Sequence, residues 1–138
     1  MDDVPNVSVE ESARELRENP MAEIVDVRTD AELMFVGYPD AQAFGKALHV
    51  IPWQMFPTMG VNPGFVAELE ARGLTKDRKL YFLCRSGVRS LAAGRAALAA
   101  GYRQVFNIED GFEGPVDSEG HRGTVAGWKA AGLPWRQR

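Results

Sequence analysis

The sequence has little cysteine and little histidine: one cysteine, Cys84, and two histidines in 138 residues. A single cysteine excludes an intramolecular disulfide and any zinc site built from several cysteines of this chain, which suits a reducing compartment. The histidines, His49 and His121, lack the short spacing that brings two ligands to one metal ion. We therefore expect no metal site, and both histidines are predicted to be structural or solvent-facing. No organic cofactor is implied by the sequence.

The chain also lacks an excess of positive charge and a long apolar run. It carries 16 Lys and Arg against 19 Asp and Glu, a formal net charge of −3, which argues against a broad basic surface for nucleic acid or an anionic bilayer. No apolar run approaches the roughly eighteen residues of a membrane span, and the opening Met-Asp-Asp-Val-Pro does not resemble a secretory signal. We expect a cytoplasmic protein that binds neither nucleic acid nor membrane.

The length predicts one domain over residues 1–138, with its core at about 7–136. A chain of this size buries roughly two-thirds of the surface that its unfolded form exposes, so it can fold without a disulfide or a metal. Apolar runs of strand length alternate with segments of helical spacing, and a cap or breaker residue marks each change. That alternation predicts an α/β fold with a largely parallel sheet.

Caps and periodicity place the individual elements. Ser8 with Glu11, and Thr29 with Glu32, have the spacing of capping boxes at the starts of two helices. Further helices are predicted from Asn62 as N-cap with Pro63 at the first helical position, over 90–100, and around 125–131. Strands are predicted at 23–28, 47–51, 79–83 and 105–108.

Two groups of residues near these strands are predicted to be structural. Asp26 and Arg28 lie just past the first buried strand and are expected to form an ion pair that ties loops together. Trp53, Phe56 and Met59 follow the strand at 47–51 and are expected to pack in the core, although an apolar wall near a site is the alternative.

The most informative segment runs from Cys84 to Ser90, with the sequence Cys-Arg-Ser-Gly-Val-Arg-Ser. It joins a predicted buried strand to a helix, where successive backbone N–H groups and the helix dipole attract an anion. Gly87 permits a backbone conformation that most residues avoid, and two arginines supply charges that can fork onto oxyanions. The segment predicts a cradle for a tetrahedral or sulfonate-like anion, formed by Arg85, Ser86, Gly87, Val88, Arg89 and Ser90.

Cys84 lies at the rim of this cradle. The positive potential there stabilises the thiolate, which is the nucleophilic form of cysteine. A lone cysteine that ends a buried strand is commonly a small core residue, but two nearby arginines and a glycine are costly in a purely structural turn. We therefore predict that Cys84 is a catalytic nucleophile.

The segment from Cys84 to Ser90 resembles the active-site loop of the rhodanese family. The resemblance implies a single rhodanese domain with a five-stranded, mostly parallel sheet flanked by helices on both faces, and a sulfurtransferase whose cysteine carries sulfane sulfur as a persulfide. Other segments support it through their order and spacing over nearly the whole chain: Asp26-Val27-Arg28, Gly101-Tyr102 with Val105, and Gly132-Leu133-Pro134-Trp135.

Two segments depart from the family pattern. After Asp-Val-Arg most members have Gly-His-Ile-Pro-Gly-Ala, whereas this chain has Val36 to Asp40 followed by Phe44 to Lys46. The usual pair of glycines before the final helix is Asp110-Gly111 here, and residues 113–122 form a polar insertion that could cover the mouth of the site. Neither change touches the cysteine loop.

The resemblance also implies the partners. Cys84 would take sulfur from a small anionic donor such as thiosulfate, or from a persulfide, with Arg85 and Arg89 holding the departing sulfite, which needs no general acid. A small thiol, cyanide or the cysteine of an acceptor protein would then remove the sulfur, because the chain has no second thiol.

Two other functions stay open. A cysteine phosphatase or arsenate reductase uses a similar loop, typically one residue longer than the four residues that separate Cys84 from Arg89. Such a phosphatase also needs an acid to protonate its leaving alkoxide, for example Asp110 or Glu113. The alternative from a different class is a rhodanese-like module that binds or scaffolds without turnover, although such modules commonly lack the cysteine or its arginines.

Overall fold

Short strands and short helices alternate along the chain. The protein is described by a computed structural model that covers residues 3–55 and 58–137, so the ends of the predicted 1–138 domain and Phe56 of the predicted apolar group lie outside the described residues. The strands are β1 (Asn6–Val7), β2 (Ala22–Asp26), β3 (Tyr38–Pro39), β4 (Leu48–Val50), β5 (Gln54–Met55), β6 (Gly60–Val61), β7 (Lys79–Leu83), β8 (Gln104–Ile108) and β9 (Trp135–Arg136). The helices are α1 (Val9–Glu18), α2 (Asp30–Val36), α3 (Phe65–Ala71) and α4 (Val88–Ala99), with a 3-10 helix at Ala41–Phe44.

Five strands form the central sheet in the order β1-β8-β7-β2-β4, and every neighbouring pair is parallel. The predicted five-stranded parallel sheet is therefore confirmed. Strand β7 lies in the middle, so the residue that follows it reaches the centre of the carboxyl edge. The short pairs β3–β9 and β5–β6 are antiparallel and lie outside this sheet.

Helices cover both faces of the sheet, as predicted. Side chains of a strand alternate between faces, and those of β7 divide accordingly into two buried clusters. Leu80 and Phe82 pack with residues of α3 and α4, whereas Tyr81 and Leu83 pack with residues of α1. None of the helices in the described part of the chain is long and apolar enough to cross a membrane.

The two predicted capping sequences form their expected contacts. Ser8 accepts a hydrogen bond from the backbone of Glu11 at 3.0 Å, and Thr29 with Glu32 forms a complete capping box at the start of α2. The predicted start of α3 was wrong, because the helix begins at Phe65 with Gly64 as its N-cap. The Asn62 side chain instead accepts from the Gly64 backbone at 3.0 Å and fixes the turn that leads into the helix.

The helix predicted around 125–131 is also wrong, because these residues form bends and turns. Gly127 has a left-handed backbone with φ of 101° and lies so close to Gly114 that a Cβ would approach the Gly114 nitrogen to 2.8 Å. A right-handed helix cannot pass through such a residue. Tertiary packing against residues 111–114 therefore overrides the local helical pattern.

Candidate active site

Cys84 is the first residue after β7 and lies at the carboxyl edge of the sheet, 1% exposed. Its Sγ accepts hydrogen bonds from the Gly87 backbone N–H at 3.1 Å and from the Ser90 hydroxyl at 3.2 Å. Both donors stabilise negative charge on the sulfur. The predicted nucleophile therefore sits where a thiolate is supported by the loop that follows it.

The loop backbone turns sharply at Gly87, which has φ of 106° and is the N-cap of α4. Helix α4 begins at Val88, two residues before the predicted start, so the predicted cradle extends into its first turn. The first N–H groups of a helix have no acceptor within it, which leaves those of Val88, Arg89 and Ser90 available to an anion. The Val88 side chain is 77% exposed, so its contribution to the cradle is its backbone.

Ser90 and Asn107 form a buried polar network behind the sulfur. The amide nitrogen of Asn107, on β8, donates to the Gly87 carbonyl at 3.1 Å and to Asn6 Oδ1 at 2.9 Å, which turns its own Oδ1 toward Ser90 at 2.5 Å. The Ser90 hydroxyl has one proton. When Cys84 is a thiol, this proton can be donated to Asn107 Oδ1, and the Cys84 S–H can donate to Ser90 Oγ. When Cys84 is a thiolate, the Ser90 hydroxyl can donate to the sulfur.

Replacing Ser90 with Ala should lower the reactivity of Cys84 as a thiolate. Because a hydrogen bond to a charged group is worth about 1.5–3 kcal/mol, we expect the iodoacetamide alkylation rate at neutral pH, divided by the rate at alkaline pH, to fall about tenfold. Dividing the two rates cancels any change in how easily iodoacetamide reaches Cys84. Intact mass measures both alkylation rates. Ser86→Ala is the matched control, since Ser86 donates no hydrogen bond to Cys84 in the described part of the chain. Equal ratios for the two variants would refute the role given to Ser90.

The ion pair predicted between Asp26 and Arg28 is confirmed and is fully buried. Arg28 Nη2 lies 2.7 Å from Asp26 Oδ2 and also donates to the Gly37 carbonyl at 3.0 Å. Its Nη1 has no hydrogen-bond partner among the described residues, and the Phe112 ring, centred 4.5 Å from Cζ, offsets this in part. The pair ties the end of β2 to Gly37 and to Phe112.

The two arginines of the loop differ in their surroundings. Arg85 is exposed and forms no ion pair with a described residue. Arg89 is paired with Glu32 of α2 through two hydrogen bonds of 2.7 Å. The two charges that were predicted to fork onto an oxyanion therefore differ, because Glu32, which is distant in sequence, balances the charge of Arg89.

Residues 111–114 support the start of the cysteine loop through their backbone. Phe112 N–H donates to the Cys84 carbonyl at 2.9 Å, and the N–H groups of Glu113 and Gly114 donate to the Arg85 carbonyl at 3.0 and 3.2 Å. The approach is so close that a Cβ on Gly111 would lie 2.4 Å from the Cys84 carbonyl oxygen. The first residues of the predicted insertion thus hold the loop, while coverage of the site mouth stays a prediction.

Asp110 occupies the position of the first family glycine and has a left-handed backbone with φ of 67°. This conformation explains why glycine is usual there. We expect Asp110→Gly to raise the free energy of unfolding by about 0.5–1 kcal/mol, measured by urea unfolding. Asp110→Ala, which keeps the strain and removes the carboxylate, is the control. If Asp110→Ala raises the free energy of unfolding as much as Asp110→Gly does, the gain comes from removal of the carboxylate charge and not from relief of backbone strain.

Metal ligation has no candidate among residues 3–55 and 58–137, where no group of three or more His, Cys, Asp or Glu is placed to hold an ion.

The parallel five-stranded sheet, with the cysteine loop that leads from its middle strand into a helix, has the arrangement of the rhodanese fold. The sequence matches the Rhodanese-like domain family over residues 8–117, and the chain belongs to that family. The Mycobacterium tuberculosis protein Rv0390, known from a crystal structure, is 40% identical with a TM-score of 0.88, and the match covers 99% of this chain and 100% of that one.

Its bacterial relatives include proteins with and without a described activity. An uncharacterized protein of Rickettsia prowazekii is 34% identical over 119 residues, which cover 86% of this chain and 85% of the relative. A protein of Allochromatium vinosum described as a sulfurtransferase is 28% identical over 131 residues, which cover 95% and 94%. The chain thus has distant sulfurtransferase relatives.

Sequence reasoning missed two residues of the site. Glu32 was recognised as a helix-capping residue, and its contact with Arg89 joins the starts of two helices that are 57 positions apart in the sequence. Asn107 is the one polar residue in the run Val105-Phe106-Asn107-Ile108. A polar residue at the carboxyl end of a buried strand was the available signal, because buried polar groups need partners.

Proposed function

We propose that the protein is a sulfurtransferase in which Cys84 carries sulfane sulfur as a persulfide. The observation that carries the proposal is the environment of the Cys84 sulfur, which receives hydrogen bonds from Gly87 N–H and Ser90 Oγ at the start of α4. The relative described as a sulfurtransferase supports the same chemistry.

The first half-reaction requires a nucleophilic sulfur and a leaving group that departs as an anion. The Cys84 thiolate attacks the outer sulfur of thiosulfate or of a persulfide donor. A bond forms between Cys84 Sγ and that sulfur, and the bond from the outer sulfur to the rest of the donor breaks. Its electron pair leaves with sulfite, or with the donor thiolate. Arg85 and the loop N–H groups hold the departing oxyanion, beside the Arg89 guanidinium that is paired with Glu32.

The second half-reaction returns Cys84 to its thiolate form. Cyanide or an external thiolate attacks the outer sulfur of the persulfide, and the electron pair of the broken S–S bond returns to Cys84 Sγ. The products are thiocyanate or a new persulfide on the acceptor. Because Cys84 is the single cysteine of the sequence, the acceptor thiol belongs to another molecule, either a small thiol or a protein cysteine.

The intact mass of the purified protein tests the proposal. We expect one added sulfur after incubation with thiosulfate or a small persulfide, and its loss after treatment with cyanide, with one thiocyanate released for each sulfur removed. The donor that loads the protein most completely identifies the preferred class. A wild-type protein that gains no sulfur from any of these donors would overturn the proposal and favour a binding module.

A further inference from the structure

Glu32 changes the charge that Arg89 presents to the site. Two hydrogen bonds of 2.7 Å join their side chains, which are 25% exposed for Glu32 and 19% for Arg89. A partly buried bidentate pair is ordered and is screened little by salt. The pair adds no net charge to the cradle, which leaves Arg85 as the uncompensated guanidinium of the loop.

Glu32 is also held from its other side. Its Oε1 accepts hydrogen bonds from Thr29 N–H and from Thr29 Oγ1, each at 3.2 Å, as part of the capping box of α2. Turning the carboxylate away from Arg89 would also break its two contacts with Thr29, which form the side-chain half of the capping box. The counter-charge is therefore a fixed part of the site that an incoming anion does not easily displace.

The carboxylate remains ionised under ordinary assay conditions. Burial by itself raises the pKa of Glu32, but the hydrogen bonds and charge of Arg89, together with Thr29, outweigh burial and lower the pKa to about 2. An anion that reaches Arg89 therefore meets an ionised counter-charge bonded to it.

We propose that Glu32 is a specificity-determining residue that lowers the positive charge of the Cys84 site, so that donors with one negative charge or none are favoured over doubly charged donors. The inference rests on the proposed sulfur transfer. It implies that a persulfide or another singly charged donor suits this site better than thiosulfate does. The repulsion between Glu32 and the donor grows with donor charge, which makes the effect measurable with a matched pair.

Thiosulfate and methanethiosulfonate form such a pair, because they carry two charges and one charge, and both offer an outer sulfur with an oxyanion leaving group. We would measure kcat/KM for each donor with cyanide as acceptor. In Glu32→Gln, the thiosulfate value divided by the methanethiosulfonate value should rise about tenfold, because the repulsion that the substitution removes is proportional to the charge of the donor. Glutamine keeps an acceptor for the Thr29 cap.

Asp30→Asn is the matched control. Asp30 lies in the same first turn of α2, and its substitution removes one charge while leaving the Arg89 pair intact. In Asp30→Asn, the kcat/KM for thiosulfate divided by that for methanethiosulfonate should change less than twofold. A ratio that rises equally in both variants would show a general charge effect and overturn the inference. A loss shared by both donors in Glu32→Gln, with the ratio unchanged, would also overturn it and leave Glu32 as a residue that positions Arg89.

A second measurement does not depend on turnover. Sulfate and methanesulfonate, which react with nothing here, should slow the alkylation of Cys84 by iodoacetamide when they occupy the cradle. We expect Glu32→Gln to strengthen protection by sulfate about tenfold relative to protection by methanesulfonate. Unaltered relative protection would refute the inference, whatever the activity. The two proposals can fail separately. If the relative protection by the two anions changes in Glu32→Gln as expected but the wild-type protein gains no sulfur, the proposed function is refuted and the inference about Glu32 stands.

Discussion

Replacing Cys84 with Ser should abolish both persulfide formation and turnover. A hydroxyl at this position is neither ionised nor able to form the S–S bond that stores the transferred sulfur. Removal of a nucleophile from a catalytic unit costs several orders of magnitude, so we expect thiocyanate production to fall at least roughly a thousandfold. The colorimetric thiosulfate:cyanide assay measures this loss, and intact mass should show no added sulfur.

The fold of the Cys84→Ser variant has to be verified beside its activity. The side chain is buried and accepts hydrogen bonds from Gly87 and Ser90. A serine oxygen is smaller than sulfur, fits the same space and can accept from the same two donors. Circular dichroism and thermal unfolding should therefore remain close to wild type. If the serine variant keeps a substantial fraction of the activity, another group carries the sulfur and the mechanism is wrong.

Much of the architecture was predictable because the sequence signals that define it are local. The run Leu80 to Leu83 is mostly apolar and is followed directly by a cysteine and a glycine-containing loop. With Lys79 it forms the middle strand of the sheet. The capping sequences at Ser8 and Thr29 also act over a few residues, so their helices began where the sequence indicated.

The parts that were not predictable depend on contacts between distant segments. The pairing of Arg89 with Glu32 joins residues 57 positions apart, and Asn107 contacts Gly87 across 20 positions. The segment around Gly127 has an apolar pattern of helical type but is forced into a left-handed turn by its approach to Gly114. Such contacts are set by the tertiary packing of strands and loops, which local patterns in a single sequence do not reveal.

Replacing Gly111 with Ala should have a large effect on both stability and activity. The backbone at Gly111 has φ of 63°, and an added Cβ would lie 2.4 Å from the Cys84 carbonyl oxygen and 2.7 Å from the Arg85 carbonyl. The left-handed conformation costs about 1–2 kcal/mol for a residue with a side chain, and overpacking costs about 1–3 kcal/mol. Urea unfolding should therefore show a loss of about 2–5 kcal/mol.

The activity of the folded Gly111→Ala protein separates a role in the site from a role in stability alone. Because the added carbon presses on the residue that bears the nucleophile, Cys84 should be displaced from the loop amides, and kcat/KM should fall about a hundredfold. Gly120→Ala is the matched control, since Gly120 has φ of 82° but no atom within 4 Å of the added Cβ. That variant should lose about 1–2 kcal/mol and keep its activity. Equal activities in the two variants would mean that residues 111–114 do not position the cysteine loop.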